Sequence, residues 1–191
     1  MSSIKLTADS GGGTFEIKAP SSSSNTRVLT LPDTENLTLG KTGILQVVQT
    51  VKTDAFSHNA TAFADVTGLS ASITPTSSSN KILVEACIYI SAGISSGTST
   101  AKFNFVRGST NIGHPNHGSA SEQGTIMNWS SAAYMKTCTQ TFLDSPNTTS
   151  ATTYKIQIGS DGTAATIYVN RYYNDNNYRA ISTLTLMEVA A

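Results

Sequence analysis

The last strand-like run of the chain constrains its fold most, because it is apolar on both faces. Alternate positions between Ile181 and Val189 form two sets: Thr183, Thr185, Met187 and Val189 on one face, Leu184 and Leu186 on the other. Only Ser182 and Glu188 interrupt the second set. A strand with two apolar faces needs cover on both sides. We therefore predict a strand inside a layered β structure, with a second copy of the chain as a candidate for the outer cover.

The sequence from residue 44 onward predicts an all-β domain. Strand-like runs with a two-residue period include Ile44 to Val51, Lys81 to Ile90, Tyr154 to Ile158 and Thr166 to Asn170. In the second run Ile82, Val84, Ala86, Ile88 and Ile90 share one face, and the other carries Leu83, Glu85, Cys87 and Tyr89. Turn-forming stretches separate the runs, and no sustained helical periodicity occurs. This spacing predicts a β-sandwich or jelly roll over residues 44–191.

Residues 1–43 are predicted to form a separate, extended attachment segment. Its short alternating runs are separated by loops rich in Gly and Ser, and its apolar positions are few: Ile4, Leu6, Phe15, Ile17, Leu29 and Leu31. So little apolar surface cannot offset the entropy lost on ordering the chain. We expect these six residues to anchor the segment on the rest of the subunit, on a sister copy or on a host scaffold.

The charge composition argues against nucleic acid and membranes as partners. The 191 residues contain 12 Lys and Arg and 12 Asp and Glu, and the charged fraction of 13% is about half the usual value. No apolar run approaches the ~18 residues of a membrane span, and no signal peptide is recognisable. Ser and Thr replace the missing charges, which suits β structure and a particle component that must not repel its neighbours. We expect synthesis in the cytosol.

No motif predicts catalysis or a cofactor. The Gly93-Ile94-Ser95-Ser96-Gly97 run fits the nucleophile-elbow pattern, but that turn needs a helix after it, and here a strand follows. Glycoside hydrolysis needs a pair of acids, and the candidates are Glu85, Glu122, Asp144 and Asp161. They lie in unrelated sequence contexts, and their spacing does not predict that any two of them are close together. The chain is therefore predicted not to be an enzyme.

The histidines and cysteines also receive structural interpretations. His114 and His117 lie in a Gly-flanked loop, and one chain supplies too few ligands for a closed metal site, although a threefold axis would triple them. We predict no metal. Cys87 and Cys138 lie far apart in strand-like sequence, and we predict buried free thiols, with a disulfide as the alternative.

A Tyr- and Asn-rich stretch from Tyr168 to Arg179 has the most distinctive composition in the chain. Tyr gives a large contact area with a polar tip, Asn adaptable hydrogen bonds and Arg a planar fork. The predicted contact residues, for a host glycan or a partner subunit, are Arg171, Tyr172, Tyr173, Tyr178 and Arg179. The alternative is a hairpin loop whose Asn and Asp residues simply form turns.

The opening segment carries Ile4-Lys5-Leu6-Thr7-Ala8, Gly11-Gly12-Gly13-Thr14, Lys18-Ala19-Pro20 and Leu29-Thr30-Leu31-Pro32-Asp33. These motifs resemble those of virion structural proteins from marine tailed phages, often labelled tail fibres. Ile73 to Val84 resembles a module that recurs in phage fibre and structural proteins. So do Arg107-Gly108-Ser109-Thr110, Asp144 to Ser150, Tyr154-Lys155, Asn170-Arg171 and Leu184-Thr185-Leu186-Met187-Glu188.

The resemblance implies a tumour-necrosis-factor-like jelly roll that assembles as a homotrimer, with its last strand near the threefold axis. The predicted trimer interface consists of Leu83, Tyr89, Leu184, Leu186 and Met187. The expected function is that of a non-enzymatic short fibre or spike in a phage virion, made in the host cytoplasm and attached through residues 1–43 to other tail or capsid proteins. The alternatives are a capsid decoration protein, which would bind the major capsid protein, and a carbohydrate-binding module.

Overall fold

The structure is a computed structural model that describes residues 3–7, 14–18, 43–93, 99–113, 125–129, 134–160 and 165–191. The chain divides into two compact units, Met1–Gly40 and Lys41–Ala191. Every regular element in the described residues is a β-strand, numbered β1 to β13 in chain order. That part of the chain contains no helix with the length and hydropathy of a membrane span. The prediction of an all-β protein is confirmed.

The first unit contains an antiparallel pair, β1 (Ser3–Thr7) and β2 (Thr14–Lys18). The register sets Ile4 opposite Ile17 and Leu6 opposite Phe15. Four of the six predicted anchor residues therefore occupy matched positions of this hairpin. The other two, Leu29 and Leu31, lie outside the described residues.

The second unit is a sandwich of two antiparallel sheets. The six-stranded sheet contains β3 (Ile44–Lys52), β4 (Phe56–His58), β6 (Lys81–Ala92), β10 (Lys136–Asp144), β12 (Ile167–Val169) and β13 (Ser182–Val189). The five-stranded sheet contains β5 (Ala64–Ile73), β7 (Ser99–Arg107), β8 (Thr110–Ile112), β9 (Thr125–Trp129) and β11 (Thr152–Ser160). The predicted β-sandwich is therefore present.

The eight main strands pair in a nested order. β3 pairs with β13, β5 with β11, β6 with β10, and β7 with β9, so the first strand meets the last and successive pairs lie inside one another. The order across one sheet is β3, β13, β6, β10, and across the other β5, β11, β7, β9. This pairing places the closing strand β13 inside its sheet, between β3 and β6.

The core fills the space between the two sheets. Ile82, Val84, Ala86, Ile88 and Ile90 all face it, as their alternation predicts. From the facing sheet Phe103 and Phe105 meet edge to face, with ring centroids 5.4 Å apart. Leu184 and Leu186 of β13 lie in the same core and are 0% exposed. The other sheet of the same subunit thus covers one face of the closing strand.

Buried polar groups tie distant segments of the sandwich together, and Glu188 is the clearest of them. Its carboxylate is 0% exposed and accepts hydrogen bonds from Asn80 Nδ2 and Gln46 Nε2, each at 2.6 Å. The backbone N–H and the hydroxyl of Thr76 also donate to it, at 2.6 and 2.8 Å. Desolvation acts to raise the pKa of Glu188, but these bonds outweigh it and lower the pKa to about 2.

A second buried carboxylate joins both sheets at the end of β10. Arg107 Nη1 lies 2.8 and 2.7 Å from the two oxygens of Asp144, and the Tyr154 hydroxyl donates to Asp144 Oδ2 at 2.7 Å. Burial, and then the neighbouring carboxylate, raise the pKa of Tyr154. Because the charge of Asp144 is paired and hydrogen-bonded, it can be buried without a large penalty.

Candidate interaction surface

The outer face of the six-stranded sheet, the surface turned away from the core, carries a row of apolar side chains. The strand register aligns Val47 with Met187, Met187 with Leu83, and Leu83 with Leu143. These four side chains form one apolar row across four strands. Val47 is 57% exposed and Leu143 46%.

The neighbouring rows of the outer face are polar but almost uncharged. One row carries Gln49, Thr185, Glu85 and Thr141, and the next carries Val51, Thr183, Cys87 and Thr139. Gln49 Nε2 donates to Thr185 Oγ1 at 2.9 Å. Glu85 is the single charged residue in these twelve positions. On the other side of the apolar row, the exposed Lys81 aligns with Val189 and Ile44 and adds a positive charge. A surface of mainly aliphatic and hydroxyl side chains with few charges has the composition of a contact surface.

The five-stranded sheet presents a different exterior. Its exposed positions carry ion pairs and hydroxyls: Lys155 Nζ lies 2.8 Å from Asp65 Oδ2, and Ser72 Oγ and Thr153 Oγ1 lie 2.7 Å apart. Hydrogen bonds from Lys155 and Gln157 lower the pKa of Asp65. Among the described residues, the large exposed hydrophobic side chains all belong to the six-stranded sheet or to segments leading into it: Ile44, Val47, Val51, Tyr134, Leu143, Tyr178 and Ile181. The two sheets therefore differ in the surface that they offer.

The predicted interface residues divide between the core and the outer face. Leu184 and Leu186 lie in the core of a single copy, so they are not part of its surface. Leu83, Met187 and Tyr89 lie on the outer face and are partly exposed. Val47, Val51 and Leu143 join them, although the sequence did not single them out.

The predicted contact stretch forms a small hairpin at one end of this face, here named the tyrosine loop (residues 170–180). Asn170 begins it in the left-handed conformation, with φ of 61°. Its Nδ2 donates to the Lys52 carbonyl at 2.8 Å, and its Oδ1 accepts from Ser182 Oγ at 2.5 Å. Ala180 N donates back to the Asn170 carbonyl at 3.2 Å, which closes the loop. The base of the loop is thus fixed to the sheet.

The two arginines of the tyrosine loop bind its own backbone. Arg171 donates to the carbonyls of Tyr172 and Tyr173, both at 3.2 Å, and lies 4.6 Å from the ring centroid of Tyr168. Arg179 donates to the carbonyl and side-chain oxygens of Asn176 at 2.8 and 2.6 Å. These bonds rigidify the loop and occupy donors that an anionic ligand would otherwise use.

An aromatic groove runs beside the tyrosine loop. It has a volume of about 520 Å³ and is lined by Tyr134, Met135, Tyr172 and Tyr178. The rings of Tyr134 and Tyr172 are stacked, with centroids 5.9 Å apart, and Tyr178 stands edge-on to Tyr172 at 6.1 Å. Tyr134 is 66% exposed and Tyr178 63%. Partial desolvation, and then the nearby phenols, raise the pKa of Tyr172.

The wall of the groove opposite the tyrosine loop is held by Trp129. This indole is 1% exposed, and its N–H donates to the Tyr134 carbonyl at 2.9 Å. Lys136 Nζ lies over the same indole, 5.2 Å from its centroid. Tyr134 was not predicted as a contact residue because it lies far from the Tyr-rich stretch in the sequence. Only the fold brings it against Tyr172.

A second groove connects the aromatic groove to the outer face. It has a volume of about 470 Å³ and is lined by Tyr89, Met135, Arg179, Ala180 and Ile181. Met135 borders both grooves, and Tyr89 lies on the outer face, opposite Thr137 of β10. The tyrosine loop therefore lies beside a groove that reaches the outer face at Tyr89, and the rows of Cys87 and Glu85 separate Tyr89 from the apolar row.

The two cysteines are free and belong to opposite faces of the sheet. Cys138 pairs with Ile88 on the core side and is buried, whereas Cys87 pairs with Thr139 on the outer face and is half-buried. Burial, and then the proximity of Cys87, raise the pKa of Cys138. Free thiols match the prediction, but only Cys138 is buried.

Seven sequence candidates remain, of which the structure describes two, Glu85 and Asp144. His114, His117, Ser95, Glu122 and Asp161 lie outside the described residues. No cluster of three or more His, Cys, Asp or Glu side chains occurs within the ranges that are described. Of the four acids considered for hydrolysis, Glu85 lies on the outer face and Asp144 is held by Arg107.

Neither a scan against protein-family models nor a comparison with curated proteins gives a match to this chain.

Proposed function

We propose that this chain is a non-enzymatic structural protein of a phage particle, in which copies associate as a trimer through the outer face of the six-stranded sheet. The observation that carries the proposal is the apolar row of Val47, Met187, Leu83 and Leu143, together with the polar exterior of the other sheet. A single copy leaves this row in water, and a second copy would cover it.

The strand order supports the jelly-roll part of the proposal. Eight strands in two sheets, with the first paired to the last and the remaining pairs nested, form the double-sheet arrangement of jelly rolls. The phage-particle part of the proposal rests on the resemblance of the sequence motifs to those of phage fibre proteins. A short fibre or spike fits a compact sandwich preceded by a separate unit, Met1–Gly40, that would attach it.

Charge substitutions on the two sheets test the association. Thr139→Asp and Val47→Asp each place a carboxylate on the outer face, and Thr67→Asp places one at an exposed position of the other sheet. We expect the first two proteins to sediment as monomers at micromolar concentration and Thr67→Asp to sediment as the wild-type trimer. A monomeric wild-type protein would contradict the proposal.

Deletion of residues 2–40 tests the attachment. Because residues 41–191 form a compact unit of their own, we expect the shortened protein to remain a soluble trimer and to be missing from assembled particles. Normal incorporation of the shortened protein would contradict the attachment role.

A further inference from the structure

The aromatic groove has the chemistry of a protein–protein contact. Tyr, Met and Arg are enriched at interfaces, and residues that dominate binding cluster in pockets of this kind. Tyr134, Met135, Tyr172 and Tyr178 line the groove itself, and Arg179 lines its continuation. The two guanidinium groups donate to neutral carbonyl and amide oxygens of their own loop, and the lining of the aromatic groove itself is aromatic and thioether side chains.

Both walls of the groove are fixed before any partner arrives. On one side the Trp129 indole bonds the Tyr134 carbonyl at 2.9 Å. On the other, the backbone N–H of Tyr172 donates to the Tyr178 carbonyl at 3.1 Å, and Arg171 and Arg179 bridge across the loop. A preformed groove loses little conformational entropy when it is filled, which strengthens binding.

We propose that a second copy of this chain occupies the aromatic groove, so that Tyr134 and Tyr178 are dominant contact residues of the assembly. This inference rests on the proposed function. Its basis is position, because the groove shares Met135 with the second groove, and that groove reaches the outer face at Tyr89. A copy that covers Tyr89 reaches the groove. Cyclic trimers also require each copy to join two different surfaces, and a concave groove supplies one of them.

The experiment compares Tyr134→Ala and Tyr178→Ala with Tyr178→Phe as the matched control, in the full-length chain. Sedimentation over a concentration series measures the dissociation constant. We expect each Ala variant to raise it by at least about tenfold, because both rings are contact residues. Tyr178→Phe keeps the ring and should stay within about threefold of wild type. Circular dichroism spectra should be unchanged, since both side chains are largely exposed in one copy, whereas melts of the assembled Ala variants should shift to lower temperature because association is weaker.

Three outcomes would overturn the inference. If both Ala variants assemble as wild type while Thr139→Asp is monomeric, the groove is not the contact, although the outer face is. If Thr139→Asp also assembles as wild type, the proposed function fails as well. If assembly is unchanged but wild type binds neutral oligosaccharides on a glycan array and Tyr178→Ala does not, the groove accepts a sugar instead.

Discussion

The backbone N–H of Thr76 donates a 2.6 Å hydrogen bond to the carboxylate of Glu188, which links the turn before β6 to the last strand. The Thr76 hydroxyl, Asn80 and Gln46 complete the set of donors. No cation contributes to this set, so hydrogen bonds alone hold a buried negative charge. Several motifs that resemble phage modules meet at such points: the turn with Thr76 and Asn80 bonds Glu188, and Arg107, Asp144 and Tyr154 bond one another. The residues that make these bonds therefore stabilise the fold, whereas Leu83 and Met187 of the same motifs lie on the candidate contact surface.

Glu188→Gln should destabilise the sandwich. The substitution replaces one acceptor oxygen with an N–H₂ group, which then faces a donor such as Gln46 Nε2. An unsatisfied buried donor and the loss of a charged acceptor cost about 1–3 kcal/mol in the free energy of unfolding. Urea denaturation at pH 7 measures this loss. The control is Glu16→Gln, the same exchange at an exposed site of β2, which should change stability far less.

The pH dependence of the free energy of unfolding should show the contribution of the Glu188 carboxylate. The folded state lowers the pKa of Glu188 from its ordinary value of 4.5 to about 2, so folding favours the charged form. The contribution of Glu188 to the free energy of unfolding is therefore present above pH 4.5 and declines as the pH falls toward 2. We expect Glu188→Gln to show a shallower decline over this window than wild type. Parallel wild-type and variant profiles would contradict this assignment.

Tyr154→Phe should remove about 1.5–3 kcal/mol from the free energy of unfolding, the range for a hydrogen bond to a charged acceptor. The buried hydroxyl donates to Asp144 Oδ2 at 2.7 Å, and the ring is 1% exposed, so Phe fills the same space. The matched control is Tyr178→Phe, whose ring is 63% exposed. Chemical denaturation of both variants gives the comparison, and equal stabilities would contradict the role of Asp144.

Asn104→Leu should stabilise the protein. Asn104 is 2% exposed, and within the described part of the chain neither its side-chain nitrogen nor its oxygen has a hydrogen-bond partner. Replacing an unsatisfied buried amide with an apolar group of similar shape removes a desolvation penalty of about 1–3 kcal/mol. Asn104→Asp is the opposite test, because it buries a charge and should be strongly destabilising. Thermal melts in which the Asn104→Asp protein unfolds at a higher temperature than the Asn104→Leu protein would refute this reasoning.

Thiol labelling should distinguish the two cysteines and also report on assembly. In Val47→Asp, which we expect to be monomeric, Cys87 should react faster than Cys138, because Cys138 is buried and burial raises its pKa. In the assembled wild-type protein Cys87 should be protected as well, since it lies on the outer face beside Thr139. Mass spectrometry after brief alkylation measures both rates. Equal labelling of Cys87 in the two proteins would argue against burial of this face.

Local patterns in the sequence predict the strands well, because alternation is a local property. The run from Ile82 to Ile90 faces the core as its period requires, and β3, β11 and β13 fall close to their predicted bounds. The short strands β4 and β8 were not predicted, since three residues carry too little periodic signal. Such strands form only because a longer neighbour is already in place to pair with them.

The candidate surface was less predictable because register creates it. Val47 and Leu143 become part of an apolar row only through the strand register, which aligns β3 with β13 and β10 with β6. Glu188 looked like an interruption of an apolar face, and its donors lie in segments that no local pattern connects to it. Leu184 and Leu186 were expected at an interface because sequence shows that a strand face is apolar but not which layer covers it.

The nested pairing also brings the two ends of the sandwich together. Ala190 N donates to the Gly43 carbonyl at 2.9 Å, so the chain enters and leaves this unit at one corner. A short linker between residues 191 and 43, with new termini opened in an exposed turn such as Thr148 to Ser150, would give a circular permutant with every strand pair intact. Cargo fused to those new termini would then be displayed at the same end of the strands as this corner but at the opposite edge of the sheet, because Asp144 of β10 aligns with Ile82, and Ile82 with Glu188.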